Sequence, residues 1–251
     1  MNAFTIARRE LLTLFLSPLA WAMLGVVQLI GAWVFLKQLQ EFMGLQAQLS
    51  QLPGSPGATE VVVVPLYATL AIVLMLLVPL LTMRLVSEER RAGTLPLLMS
   101  APVSMSEIVL GKYLGVVGFL LLMLGLLSLM PGVLWLSGGL DGGLWMAVLV
   151  GLGLLVGAFA ALGLYFSTLT AQPTVAAVST FGTLLLLWLL DWAGGQDPAA
   201  TDLLSYLSLL RHFDSFSRGL FSSADALYYL LFILVFIVLS VRRLDAHRLQ
   251  G

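Results

Sequence analysis

No cysteine occurs in the 251 residues. Disulfides, zinc–thiolate sites and thiol nucleophiles are thereby excluded, and the redox compartment leaves no mark on the sequence. Histidine is nearly as scarce. His212 and His247 are the only two, and neither sits in an apolar run, which argues against an intramembrane haem or di-histidine metal site. Charge is the third shortage. Charged residues make up 10% of the chain, where a soluble domain carries about 25%. Hydrophobic residues make up 60% and mean hydropathy is +1.02. These values describe an integral membrane protein in which almost nothing is left over for a soluble domain. A net charge of −1 suggests no nucleic-acid partner.

The apolar runs lack something too. None carries a charged residue near its middle, whereas proton relays and ion-coupled transporters generally need ionisable groups there. No histidine, lysine or aspartate lies within them to activate a serine or threonine, which weakens a lipid-hydrolase reading. A phosphate-cradling Walker A loop is also missing. The only Gly-Lys, Gly111-Lys112, is followed by Tyr113 and has Ser106 where the first glycine should stand.

What is present is a single all-α membrane domain over residues 1–251, with six candidate spans. Residues 1–17 carry Phe4, Ala7, Leu11, Leu12 and Phe15 at helical spacing, with Arg8, Arg9, Glu10 and Thr13 mostly on the other side. The pattern predicts an amphipathic helix lying in the headgroup layer, ended by Ser17-Pro18. A hydrocarbon core of about 30 Å needs roughly 20 apolar residues. Residues 19–36, 61–83, 113–136, 144–166, 174–190 and 227–244 meet or approach that length, the last if Arg242 and Arg243 snorkel. Gln28 is the one strongly polar side chain of the first span. It reads either as an interhelical hydrogen bond or as a pathway-facing group. Residues 37–60 read as a loop, with a short helix up to Leu49 and a breaker at Pro53-Gly54-Ser55-Pro56-Gly57. Residues 191–226 are too polar to span but carry leucine and phenylalanine clusters. They read as an external segment with short re-entrant helices. Gly111/Gly115 and Gly153/Gly157 are GxxxG pairs, open to intramolecular packing or a dimer seam.

Six spans place both termini on one side. Arg8, Arg9, Arg84, Arg90, Arg91, Lys112, Arg242, Arg243 and Arg248 fall on that side, and Lys37, Arg211 and Arg218 on the other. The positive-inside rule makes the terminal side cytoplasmic.

Residues 84–112 form a cytoplasmic segment with its own local grammar. Arg84, Glu88, Glu89, Arg90 and Arg91 make a charged elbow. Gly93 supplies a left-handed or flexible position, and Thr94 can cap a short transverse helix that Ala101-Pro102 ends. Ser104-Met105-Ser106-Glu107 is a full capping box for the next helix. The segment reads as a solvated loop or as a shaped element that receives force.

The pattern Glu88-Glu89-x-x-x-Gly93-Thr94-Leu95, then Pro102-Val103-Ser104 and Gly111-Lys112, resembles the signature of ABC-2-type transporter permeases, and within them the GldF and NosY-like subfamily. Glu10-Leu11 through Phe15 with Ser17-Pro18-Leu19-Ala20 resembles that subfamily's N-terminus. Tyr206-Leu207-Ser208, His212-Phe213 and Phe216 to Gly219 resemble the region before its last helix. The resemblance implies a permease subunit of an exporter-type ABC complex in the bacterial inner membrane. It would work as a homo- or heterodimer with separate ATPase subunits that hold ATP and magnesium, so no cofactor is expected in this chain. A periplasmic accessory protein and membrane lipid complete the implied partners. It further implies that Arg8, Arg9 and Glu10 of the interfacial helix, and Glu88, Glu89, Arg90, Arg91, Gly93, Thr94 and Pro102 of the coupling segment, meet the ATPase. The residues by themselves also fit salt bridges of Glu88 and Glu89 with Arg84, Arg90 or Arg91. Two other functions stay open: an anchor that recruits an ATPase without transport, and a membrane-embedded lipid enzyme.

Overall fold

The computed structural model describes residues 3–49, 57–94, 103–136, 140–193 and 206–250. The described residues form helices without strands. In chain order these are α1 (Ala3–Leu16), α2 (Pro18–Leu49), a π-helical turn (Thr59–Val63) leading into α3 (Val64–Thr82), the short α4 (Ser87–Arg91), α5 (Met105–Leu136), α6 (Gly142–Leu169), α7 (Pro173–Ala193), α8 (Leu209–Ser217) and α9 (Ser223–Gln250). Six of them, α2, α3, α5, α6, α7 and α9, are long and apolar enough to cross a membrane.

Two helices outrun the spans expected of them. α2 continues without a break from Pro18 to Leu49, so residues 37–49 extend the first span rather than forming a separate short helix. The extension contains leucine, glutamine and glutamate, all good helix formers, and the Lys37–Glu41 pair at 3.7 Å spans one turn of it. At 1.5 Å per residue α2 is about 48 Å long, well beyond the hydrocarbon core. α5 likewise begins two turns before Tyr113. The Ser104 box starts it: the Glu107 amide donates to Ser104 Oγ at 3.2 Å, and the Ser104 amide donates to Glu107 Oε2 at 3.1 Å.

α6 is the centre of the bundle, buried along most of its length, whereas α7 and α9 keep largely exposed faces. Its small residues explain why. A side chain at Gly163 would collide with Thr82 of α3, one at Gly151 would meet Phe216 of α8 at 2.6 Å, and one at Gly157 would press on Tyr113 of α5 and Ile233 of α9. Helices in lipid associate through such close packing because the apolar solvent supplies no hydrophobic drive between them. Both glycine pairs thus face other helices of the same chain. Gly111 and Gly115 take α1, with Ile6 Cβ and Glu10 Cβ each 2.6 Å from where a Cβ would stand. The outer surface carries apolar side chains such as Leu29, Trp33, Val133 and Val178, each exposed, as a hydrocarbon solvent requires.

The helices alternate direction, so α1, α4 and the end of α9 share one end of the bundle. At the opposite end Asp141 caps α6, accepting from Gly143 N at 2.8 Å, while its own amide donates to Thr59 Oγ1 at 2.8 Å. Tyr67 OH accepts from Trp145 Nε1 there at 3.2 Å. α8 also lies at that end. Ser208 caps it, accepting from Arg211 N, and Gly219 at φ +75° ends it. Its buried side, Leu209, Phe213 and Phe216, packs on α6. Of the expected pair of short helices, the part at residues 194–205 lies outside the described residues.

Candidate coupling site

The end of the bundle that holds α1 and α4 is built from local rules first. α3 stops at Thr82, and the chain turns through Met83 to Val86 into α4. Ser167, buried at the end of α6, holds the turn. Its Oγ accepts from the amides of Val86 at 2.9 Å and Ser87 at 3.0 Å, and donates to the carbonyl of Met83 at 3.0 Å. Ser87 Oγ donates to the same carbonyl. These bonds satisfy N-terminal amides of a five-residue helix that has no side-chain cap of its own. Arg90 Nη1 donates to the carbonyl of Thr168 at 3.2 Å, a second tie to α6.

α4 ends in a Schellman motif. Gly93 has φ +68°. Its amide donates to Arg90 O at 3.3 Å, and the Thr94 amide donates to Glu89 O at 3.0 Å, the paired pattern of a left-handed helix stop. The Thr94 hydroxyl also turns back to Glu89 O, at 3.3 Å. Both polar groups of Thr94 thus close α4. The expected transverse helix over Leu95 to Pro102, including Pro102 itself, lies outside the described residues.

Charge joins these parts. Lys112, in the second turn of α5, is 4% exposed. Its Nζ lies 2.8 Å from Glu89 Oε1 of α4 and 3.5 Å from Glu10 Oε2 of α1. One cation therefore bridges the interfacial helix, the elbow and a membrane span. Glu89 Oε2 is buried and has no hydrogen-bond partner among the described residues. It adjoins a cavity of about 240 Å³ lined by Arg9, Thr13, Arg84 and Glu88 among others. Neither Arg9 nor Arg84 is in an ion pair among the described residues.

Glu89 pairs with Lys112 and with none of Arg84, Arg90 or Arg91. Glu88 is exposed and pairs with none of them among the described residues. It lines a separate groove of about 480 Å³ together with Arg84, Arg91, Pro173 and Thr174, between α4 and the start of α7. Adjacent acids on a short helix are here split: one turns into the bundle and its neighbour turns out.

The face of α1 also differs from the amphipathic expectation. Ile6 and Ala7 are buried, Glu10 is half-buried toward Lys112, and Arg8 and Arg9 are exposed. Phe4 and Leu12, expected on the apolar face, point outward. Two bare glycines and a lysine on α5 decide this orientation, since they offer close backbone approach and a counter-ion. Lys112, which the sequence pattern singles out only as part of the Gly111-Lys112 motif, is the residue on which α1, α4 and α5 converge. The signal was available: it is a cation immediately before the apolar run 113–136, and it follows a glycine of a GxxxG pair. Gln28 Nε2 donates to the carbonyl of Met123 at 3.2 Å, linking α2 to α5.

A family model described as ABC-2 family transporter protein matches residues 4–249. No curated protein matches the chain.

Proposed function

Because this chain belongs to the ABC-2 transporter family, we propose that it is the membrane-spanning permease subunit of an exporter-type ABC transporter. In this reading it sits in a bacterial inner membrane with both termini cytoplasmic. It dimerises with a second permease chain and is driven by separate ATPase subunits that bind ATP and magnesium. The likeness of its motifs to the GldF and NosY-like subfamily supports placement there.

The observation that carries the mechanism is the double contact of Lys112. A push on α1 or α4 reaches α5 through one charged group held in low dielectric, where charge pairs are stiffer than in water. Ser167 and Arg90 pass the same displacement to α6. We assign Glu88, Arg84 and Arg91, on the exposed groove, to contact with the ATPase, and Glu10, Glu89 and Lys112 to transmission. Arg8 and Arg9, exposed on the neighbouring helix, extend the contact surface. ATP-driven closure of the partner subunits would then tilt α5 against α6 and switch the path between inward and outward openings.

The absence of cysteine makes the test clean, because cysteines introduced into this chain and labelled before the ATPase is added are its only thiols. Spin labels at Leu136→Cys and Ser222→Cys, read in the complex reconstituted with its co-purifying ATPase, should change separation on ATP binding. The Glu10→Gln/Glu89→Gln variant should keep ATPase assembly and lose that change. Glu88→Gln should instead weaken assembly. A full ATP-dependent change in a normally inserted Glu10→Gln/Glu89→Gln variant would show that the Lys112 junction does not transmit.

A further inference from the structure

We infer that the cavity beside α8, at the end of the bundle remote from Lys112, is a binding site for the phosphate group of a membrane phospholipid. The cavity measures about 540 Å³, and its walls include Arg211, Asp214 and Ser215 of α8 and Arg218 at its C-cap, with His212 and Asp225 behind them. Arg211 and Arg218 are two helical turns apart, on one face and about 10 Å along the axis. Their long side chains can therefore converge on one group lying between them. Neither is in an ion pair among the described residues. They are two of the three basic residues that the alternation of spans places at this end, and the third, Lys37, is paired with Glu41.

One of the two carboxylates that line the cavity is committed to its back wall. Asp225 is engaged by His212, Nδ1 to Oδ1 at 2.5 Å. The other ring nitrogen of His212 lies 2.9 Å from the carbonyl of Tyr206, and the ring stacks on Tyr228 at 3.9 Å. The back wall is thus a closed, rigid unit. Two guanidinium groups face the space against one further carboxylate, Asp214. Guanidinium is the side chain whose planar donors best match phosphate oxygens.

The surroundings select a lipid over a free anion. Leu220 lines the cavity and is 64% exposed. Phe221 and Leu227 beside it are also exposed. Asp225 is followed directly by the apolar stretch of α9, so the cavity stands at the level where headgroups meet acyl chains. An amphiphile would satisfy the arginines and cover the apolar rim together. Inorganic phosphate would do only the first.

The experiment is native mass spectrometry of the full chain in detergent, titrated with phosphatidylglycerol, alone and with millimolar inorganic phosphate. The wild type and Lys37→Gln should hold one phospholipid tightly, unaffected by phosphate. Arg211→Gln/Arg218→Gln should bind it at least about tenfold more weakly. Asp214→Asn, which leaves both arginines in place, should bind it several-fold more tightly. Equal binding by the wild type and the double-arginine variant would overturn the proposal. So would displacement of the lipid by inorganic phosphate, which would mark a free-anion site, or weaker binding by Asp214→Asn.

Discussion

Lys112 and Ser167 are small in area and large in consequence. Lys112 is buried between two carboxylates that are themselves only 20% and 29% exposed. Removing one partner of a buried ion pair strands the other charge, at about 3–5 kcal/mol. Partial exposure of the two glutamates lowers the expected loss for Lys112→Met to about 2 kcal/mol. Thermal unfolding in detergent should show that loss, and Glu10→Gln/Glu89→Gln/Lys112→Met should recover most of it, because no charge is then left alone. Ser167 is a neutral counterpart. Its hydroxyl serves two buried amides and a carbonyl, and each buried polar group left without a partner costs about 1–3 kcal/mol. Ser167→Ala should therefore destabilise by about 3 kcal/mol. The loss should concentrate at the α3–α4 turn, seen as faster amide exchange at Val86 and Ser87.

Helices in this protein are positioned by what their neighbours omit. α1 lies on α5 because Gly111 and Gly115 let the backbones meet, with Ala3 O and Ala7 O about 3 Å from each missing Cβ. Gly111→Ala and Gly115→Ala should lift α1 away and expose it to protease, while Gly25→Ala, with no described residue within 4 Å, should leave cleavage unchanged and stabilise by up to about 1 kcal/mol through helix propensity. Gly93 gives the complementary case. No described residue lies within 4 Å of its missing Cβ either, yet its φ of +68° is costly for a side chain-bearing residue. Gly93→Ala should destabilise by about 1 kcal/mol and Gly93→Asn by less, since asparagine tolerates the left-handed region. Comparing Gly25, Gly93 and Gly111 by unfolding thus separates backbone strain from steric contact. α8 follows both rules, with Phe216 seated on Gly151 and Gly219 ending the helix.

At the scale of the whole molecule, six crossings with α6 buried among them set opposite ends for the two polar sites. Thr94 closes the α4 turn, and Ser222 opens α9 at the other end. Single cysteines at these positions should be labelled by a membrane-impermeant maleimide from opposite sides of sealed vesicles. Labelling of both from one side would exclude the three crossings, α5, α6 and α7, that lie between them. Accessibility of Thr94→Cys from the inner face alone is the outcome that matches the distribution of basic residues. The two ends also differ in chemistry. One holds a lysine shared between helices, suited to transmitting movement, and the other holds two arginines that are in no ion pair among the described residues, around an open cavity, suited to holding an anion.

Membrane residence, the six apolar runs and their order, the Ser104 box and a backbone position at Gly93 that is flexible or left-handed were all determined by the sequence alone. Each follows from properties a residue carries with it: hydropathy, a hydroxyl three residues before a glutamate, or a missing Cβ. The length of α2 was less legible, because glutamine-rich residues 37–49 are as compatible with a polar loop as with a helix that continues past the membrane. The tertiary structure decided what met what. Helical spacing puts Glu10 on the wet side of α1 only if its surroundings are water. Once Lys112 and two glycines are presented by a helix about a hundred residues away, burying that carboxylate becomes the lower-energy choice. The same contact turned Glu89 inward and left Glu88 outside, a distinction between adjacent residues that no local pattern contains, because it depends on a counter-ion supplied from elsewhere in the fold.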